Sequence, residues 1–134
     1  MKKIEHIGIA VKDIENSNHL FSALFGKEYY KTEAVESEGV ITSFFKCGPN
    51  KIELLQATSK DSPIAKFIEK KGEGVHHIAF AVNNIEEEIE RLKNEGFKMI
   101  HEKPKKGADN KLIAFLHPKS TNGVLIELCQ DIDD

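Results

Sequence analysis

The 134-residue chain is long enough for one ordinary domain with its own core, and its 40% hydrophobic and 31% charged residues exclude an intrinsically disordered protein. Its 19 basic and 22 acidic residues give a net charge of −3, which disfavours binding to a nucleic-acid backbone. No apolar run reaches the roughly 20 residues that span a bilayer, and two cysteines are too few for a disulfide framework.

The N-terminal segment lacks the pattern of a secretory signal peptide. A short apolar stretch follows two lysines, but Glu5, His6 and Asp13 interrupt it. Together with the low cysteine content, this pattern predicts a cytoplasmic protein with reduced thiols. Cys47 and Cys129 are therefore interpreted as small strand residues rather than as nucleophiles.

The first half of the chain reads as a strand, a helix and three further strands. Residues 2–11 alternate as a strand does, and Asp13 and Gly26 are residue types that begin and end a helix. Three more strands, separated by turn-forming glycines, are predicted at 28–35, 40–47 and 51–57. A short helix then follows Ser62-Pro63, since proline is favoured at the first helical position.

The second half repeats this order of elements. A strand is predicted at 75–82, and a helix begins after Asn83 or Asn84 and ends at Gly96. The remaining strands are predicted near 97–102, 111–117 and 123–130. The fold class is therefore α+β, with two tandem βαβββ modules in a single domain. We place module one at about 1–60, a linker with the short helix at 61–72, and module two at about 73–134.

An internal repeat supports the two-module interpretation. The segments Glu5-His6-Ile7-Gly8-Ile9-Ala10-Val11 and His76-His77-Ile78-Ala79-Phe80-Ala81-Val82 share one pattern of histidine, isoleucine and small residues. Strand alternation places each of His6 and His77 on the same face as small residues, which leaves room beside the imidazole rings.

One carboxylate interrupts an apolar strand in each half. Glu53 lies in Ile52-Glu53-Leu54-Leu55, and Glu127 lies in Leu125-Ile126-Glu127-Leu128. A carboxylate among aliphatic residues is costly to bury unless it is paired or binds a cation. Two histidines and two glutamates at equivalent repeat positions therefore predict a divalent metal site.

The other histidines and a group of lysines are interpreted as structural or solvated residues. His76 points to the face opposite His77, His19 is exposed on its helix, His101 is a surface residue, and His117 helps to fix a turn before Pro118. The lysines at positions 103, 105, 106, 111 and 119 form a basic stretch. This stretch is either a solvated face or a docking site for a phosphorylated ligand such as coenzyme A.

These residues resemble the vicinal oxygen chelate superfamily of glyoxalases, bleomycin-resistance proteins and dioxygenases, and most closely its methylmalonyl-CoA epimerases. The segments that carry the resemblance are 6–11, 61–65, 74–79, 115–119 and 123–128. The resemblance implies an open curved sheet around one divalent ion, which is zinc, cobalt, nickel or manganese. The ligands it implies are the same His6, Glu53, His77 and Glu127.

The resemblance also implies an activity, with some departures from the family pattern. Racemisation at carbon 2 of methylmalonyl-CoA by proton abstraction and enolate stabilisation is expected, with Glu127 as the first candidate base and Glu53 as the second. Some epimerases carry glutamine where Glu53 stands and a second catalytic glutamate where Thr42 aligns. Glyoxalase I often has an arginine where Ala10 stands.

Two alternatives stay open at this point. Glyoxalase I (lactoylglutathione lyase) would isomerise the hemithioacetal of methylglyoxal and a thiol by similar proton-transfer chemistry, and a non-catalytic binding protein of the same superfamily is a third reading. The expected partners are a small acyl-CoA or thiol-adduct substrate and a second copy of the chain in a homodimer. Neither nucleic acid nor a membrane is expected as a partner.

Overall fold

A computed structural model describes residues 1–132, and these divide into two compact units. One unit contains residues 6–76, and the other contains residues 1–5 together with the residues from 77 onward. Each unit contains strands and a helix in the order βαβββ, followed in residues 6–76 by a second helix, so the predicted α+β fold class is confirmed. No helix within residues 1–132 is long and apolar enough to cross a bilayer.

The unit of residues 6–76 is built from four strands and two helices. Its elements are β1 (Lys3–Ala10, from His6 onward), α1 (Ile14–Phe25), β2 (Lys31–Val35), β3 (Val40–Cys47), β4 (Asn50–Ala57) and α2 (Pro63–Lys71). The strand order is β2-β3-β4-β1. β1 runs parallel to β4, whereas β2 and β4 are both antiparallel to β3.

Both helices of this unit begin, and α1 also ends, at the residue types that were predicted. The Asp13 carboxylate accepts a hydrogen bond from the Asn16 amide at 3.1 Å, and the Ser62 hydroxyl accepts one from the Ala65 amide at 3.1 Å. Gly26 ends α1 with a left-handed φ of 73°, a conformation that glycine adopts without steric penalty.

The two helices pack on opposite faces of the strands, and the polar candidate residues lie on the face that contacts α2. α1 packs its Phe21 and Phe25 against Phe45 and Leu54, which point to one side. On the other side, Ala10, Val40 and Leu55 pack against Ile64 of α2. Because alternate residues of a strand share a face, this second side also carries His6 and Glu53.

The second unit repeats the arrangement with one helix. Its elements are β5 (Gly74–Ala81, from His77 onward), α3 (Ile85–Asn94), β6 (Lys105–Lys106), β7 (Lys111–Leu116) and β8 (Ile126–Asp131), in the strand order β5-β8-β7-β6. Asn84 begins α3 by accepting a hydrogen bond from the Glu87 amide at 3.0 Å. The helix buries Ile85, Ile89 and Leu92 against Leu128 and other strand residues.

Three predicted strand positions were wrong in extent or place. The segment 97–102 forms only an isolated bridge between Met99 and Leu116. The ladder is interrupted because the Phe115 amide donates a hydrogen bond to His101 Nδ1, at 3.3 Å, instead of to a backbone carbonyl. Pairing with β7 resumes only at Lys105–Lys106. The predicted strand 28–35 begins at Lys31, and the predicted strand 123–130 begins at Ile126, after a turn closed by a hydrogen bond from the Val124 amide to the Thr121 carbonyl.

Candidate metal centre

The first histidine and glutamate are brought together by the parallel pairing of β1 with β4. The register places Gly8 beside Glu53, so the carboxylate is next to a residue that has no side chain. His6, two residues earlier on the same face, directs its Nδ1 atom to within 3.2 Å of Glu53 Oε2. Both side chains are buried, each residue being 4% exposed.

The second unit builds an equivalent pair from the parallel pairing of β5 with β8. Here Ala79 lies beside Glu127, and His77 is again two residues before the small residue. The His77 Nε2 atom lies 2.9 Å from Glu127 Oε1, and both residues are 5% exposed. Each predicted histidine therefore lies beside the predicted glutamate of its own half.

A phenylalanine faces each glutamate from the neighbouring antiparallel strand. Phe44 of β3 is the register partner of Glu53, and Phe115 of β7 is the partner of Glu127. The Phe115 ring meets the His77 ring edge-on, with centroids 5.6 Å apart. Sequence reasoning missed both phenylalanines, because only the register between strands identifies the residue opposite each glutamate.

A glutamine three residues after each glutamate holds the helix of the same unit. The Oε1 atom of Gln56 accepts a hydrogen bond from the Ile14 amide, and the Oε1 atom of Gln130 accepts one from the Ile85 amide, each at 2.7 Å. These are the first amides of α1 and α3, which have no partner inside the helix. The sequence repeats Glu-Leu-x-Gln in both halves, and this signal was overlooked.

The donor chemistry of each pair fits a divalent transition metal. Nitrogen and carboxylate ligands bind zinc at about 2.0–2.2 Å, so two neighbouring ligands of one ion lie roughly 3–3.5 Å apart. The separations of 3.2 Å and 2.9 Å are compatible with a shared ion and also with a hydrogen bond between imidazole and carboxylate. A carboxylate that is almost completely buried also needs a hydrogen-bond donor or a cation, and the imidazole or a bound metal supplies this.

Three of the remaining histidines have the positions predicted for them, and one does not. His76 packs its ring edge-on against Phe67 at 4.9 Å, His19 is exposed, and His117 Nδ1 accepts the Lys119 amide at 3.1 Å in the turn. The prediction that His101 is a surface residue was wrong. It is half-buried, and its ring contacts Phe115 at 5.7 Å in addition to binding the amide.

Several other candidate positions have distinct surroundings. Thr42 is 1% exposed and lies on the same face as Glu53. Its hydroxyl has no hydrogen-bond partner within the part of the chain that the structure describes.

Lys111 of the basic stretch forms ion pairs with Asp131 and with Glu5, and its Nζ atom lies 3.9 Å from Glu5 Oε2. Cys129 is buried, with Sγ 3.5 Å from the Phe80 carbonyl oxygen.

Comparison with known proteins places this arrangement in a family. Residues 5–115 match the Glyoxalase/Bleomycin resistance protein/Dioxygenase superfamily. The chain is 38% identical to the ethylmalonyl-CoA/methylmalonyl-CoA epimerase of Cereibacter sphaeroides over 96% of this chain and 97% of that protein. It is 37% identical to human mitochondrial methylmalonyl-CoA epimerase over 96% of this chain and 73% of that protein.

A solved structure shows the same relationship in three dimensions. A variant of Streptomyces coelicolor methylmalonyl-CoA epimerase in complex with 2-nitronate-propionyl-CoA superposes with a TM-score of 0.94 and 34% identity, covering 98% of this chain and 96% of that one. The resemblance seen in the sequence is thus confirmed over nearly its whole length. The chain belongs to the Glyoxalase/Bleomycin resistance protein/Dioxygenase superfamily.

Proposed function

We propose that this protein is a methylmalonyl-CoA epimerase, an isomerase that interconverts the two configurations at carbon 2 of its substrate. The observation that carries the proposal is the pair of buried histidine–glutamate contacts, one in each half of the chain. The full-length similarity to proteins named as epimerases supports this substrate over the hemithioacetal of a glyoxalase I.

The proposed cofactor is one divalent metal ion held by His6, Glu53, His77 and Glu127. Two imidazoles and two carboxylates suit zinc, cobalt, nickel or manganese, and availability decides among metals of similar affinity. When bound, such an ion supplies Lewis-acid stabilisation of negative charge on the substrate oxygens. The four side chains are buried, so their electrostatic interactions are stronger than they would be in water.

Glu127 and Glu53 are the proposed acid–base groups. The substrate proton lies on a carbon between a carboxylate and a thioester, and its removal leaves negative charge on the thioester oxygen. Glu127 removes this proton on one face, and Glu53 returns a proton on the other. Positioned groups of this kind contribute about 10²–10⁴-fold to a rate. Thr42, where some epimerases carry a second glutamate, has no carboxylate to share the task.

Exchange of the substrate proton with solvent tests the role of Glu127. In deuterated buffer the wild-type protein incorporates deuterium at carbon 2 of both epimers of methylmalonyl-CoA, whereas Glu127→Gln loses exchange of the epimer whose proton faces residue 127, because the amide cannot accept the proton. Glu90→Gln, a change at an exposed glutamate, serves as the matched control and keeps the wild-type rate. Exchange at the wild-type rate in Glu127→Gln contradicts the assignment.

Elemental analysis of purified protein tests the metal site. We expect about one divalent ion per chain in the wild type and in His19→Ala, because His19 is exposed on α1. His6→Ala loses the ion, since one of four ligands is removed. Full occupancy in His6→Ala shows that His6 is not a ligand, and a metal-free wild type with full activity removes the cofactor from the proposal.

A paired assay separates the two candidate substrates. Racemisation of methylmalonyl-CoA is followed by the change in its two configurations, and conversion of the methylglyoxal–glutathione hemithioacetal is followed by thioester formation. The proposal requires the first reaction to have the higher kcat/KM. Turnover of the hemithioacetal alone identifies a glyoxalase I instead.

We also propose that the protein acts as a cytoplasmic homodimer in which both modules, about 1–60 and about 73–134, are required. The requirement for both modules rests on the ligand set, since each module contributes one histidine and one glutamate, whereas the homodimer rests on the resemblance to the family. Light scattering coupled to size-exclusion chromatography measures the oligomeric state. A monomeric mass at micromolar concentration contradicts the dimer.

A further inference from the structure

His101 contacts the phenylalanine that faces Glu127. Its Nδ1 atom accepts a hydrogen bond from the Phe115 amide at 3.3 Å, and its ring centroid lies 5.7 Å from that of Phe115. The two rings are inclined at 61°, which is close to an edge-to-face arrangement. His101 is half-buried, so water has limited access to these contacts. One side chain therefore holds Phe115 by both its backbone and its ring.

Phe115 in turn lies beside both members of the histidine–glutamate pair of the second unit. Its ring meets the His77 ring edge-on, at an interplanar angle of 87° and a centroid distance of 5.6 Å. Its register partner on β8 is Glu127, and the Cβ atoms of such partners lie about 4.5–5.5 Å apart. Because edge-to-face contacts are directional, the position of the Phe115 ring restricts how the His77 imidazole can turn toward Glu127.

The hydrogen bond to His101 replaces one backbone contact of a strand ladder. The Ile100 amide donates to the Phe115 carbonyl at 2.8 Å, as a paired strand residue does, but the Phe115 amide donates to the imidazole. A ring nitrogen that accepts a hydrogen bond carries no proton, so the hydrogen of the neutral His101 ring lies on Nε2. Removing this side chain takes away the acceptor and leaves space beside the Phe115 ring, into which that ring can shift.

The first unit places a different residue at the equivalent position. Lys31 precedes Phe44 as His101 precedes Phe115, and in each unit the amide one residue earlier donates to the carbonyl of the phenylalanine, at 2.9 Å and 2.8 Å respectively. The Nζ atom of Lys31 lies 4.9 Å from the centroid of the Phe44 ring. Both units therefore set a side chain against the phenylalanine that faces their glutamate, although the two residue types differ.

We propose that His101 is a positioning residue, which fixes the orientation of His77 relative to Glu127 by holding Phe115 in place. This inference rests on the proposed function, in which His77 is a metal ligand and Glu127 is the base on one face of the substrate. Groups that orient a metal ligand typically contribute about 10–100-fold to metal affinity or activity. Because His101 acts through one intervening ring, we expect the lower end of that range, about tenfold.

NMR spectra of the histidine rings test the placement without a substrate. They are recorded on the full chain labelled at histidine and supplied with zinc, which is diamagnetic. His101→Ala shifts the His77 ring signals, because the ring current of Phe115 acts on them from a new position. The matched control is His117→Ala, which loses a backbone-amide contact of the same kind, from Lys119 at 3.1 Å, and leaves the His77 signals in place. Unshifted His77 signals in His101→Ala overturn the proposal.

Deuterium exchange into the two epimers of methylmalonyl-CoA tests the effect on the reaction. His101→Ala lowers the initial exchange rate about tenfold for the epimer whose proton faces Glu127, and it changes the rate for the other epimer much less. The ratio of the two rates separates positioning from a purely structural role, because a smaller folded fraction lowers both rates equally. An unchanged ratio overturns the proposal.

A second variant and a separate outcome keep the two proposals distinguishable. His101→Leu preserves most of the side-chain volume but removes the acceptor and the aromatic ring, and it is expected to change the His77 signals and the exchange ratio as His101→Ala does. It carries the test if the alanine variant does not fold. If the wild type exchanges neither epimer, the proposed function fails, and the NMR comparison still decides whether His101 positions His77.

Discussion

Replacement of Gln130 by alanine is expected to weaken the attachment of α3 to the strands. The Gln130 Oε1 atom accepts the Ile85 amide at 2.7 Å, and Ile85 is 1% exposed, so water cannot readily replace the lost acceptor. Leaving a buried donor unsatisfied costs about 1–3 kcal/mol. The half-buried position of Gln130 itself places the expected loss near the middle of that range, about 2 kcal/mol.

The equivalent change at Gln56 provides an internal comparison. Its acceptor contact with the Ile14 amide is also 2.7 Å long, but Ile14 is 9% exposed. Because water reaches this amide more easily, Gln56→Ala is expected to cost less, about 1 kcal/mol. Urea unfolding followed by circular dichroism measures both losses. With a slope of about 1–3 kcal/mol per molar urea, the midpoint for Gln130→Ala falls by roughly 1 M.

Gln130→Glu separates the hydrogen bond from the loss of side-chain volume. The carboxylate keeps an acceptor oxygen and places negative charge at the N-terminus of α3, which is favourable by about 0.3–1 kcal/mol. Its stability should therefore equal or exceed that of the wild type near neutral pH. The reasoning is refuted if Gln130→Glu is as unstable as Gln130→Ala, or if the alanine variant unfolds at the wild-type midpoint.

Three further predictions concern the fold outside the candidate metal centre. Gly39→Ala should destabilise the protein more than Gly26→Ala. Both glycines have positive φ, but only at Gly39 would the new Cβ lie 2.7 Å from Ser62 Cβ. Thermal unfolding measures the two losses of stability, and equal losses contradict the steric argument. Leu128→Ala should lower the free energy of unfolding by about 2–5 kcal/mol, because Leu128 is 0% exposed in the core. Leu20→Ala, at a 64% exposed site, should change it by no more than about 0.5 kcal/mol. Similar urea midpoints for the two variants disprove this prediction. The hydrogen bond from Arg91 Nε to Glu88, 2.6 Å long, holds the pKa of Glu88 below its ordinary value of 4.5, so Arg91→Ala should raise that pKa in an NMR titration. Because the pKa of Glu88 is lower in the folded than in the unfolded protein, the stabilisation from this pair is complete above about pH 4.5 and is lost as the pH falls through the folded pKa. A Glu88 pKa that is unchanged by Arg91→Ala rules out Arg91 as the cause of the lowering.

The sequence by itself determined the elements whose signals are local. Cap residues such as Asp13 and Asn84 satisfy amides three residues away, so the starts of α1 and α3 follow from a few neighbouring residues. Alternation within a strand likewise placed His6 and His77 beside small residues. The repeat then singled out Glu53 and Glu127, because a carboxylate recurring inside two apolar strands is hard to explain by chance.

Only the tertiary structure decided the features that depend on register between distant strands. The partners Phe44 and Phe115, the acceptor roles of Gln56 and Gln130, and the interruption of the ladder by His101 all join residues that are 9 or more positions apart. A shift of one residue in pairing would reverse which side chains share a face, and no local pattern excludes that shift.

The lysines show most clearly the difference between what local sequence predicts and what strand pairing decides. By sequence, the closely spaced lysines at 103–119 were the visible basic group, whereas Lys31, Lys46 and Lys51 are scattered among strand residues. Antiparallel pairing of β2, β3 and β4 brings the scattered three to one face beside Phe44, and ion pairing removes Lys111 from the other group. Charge density along a chain is a local property, but charge density on a surface is created by strand pairing.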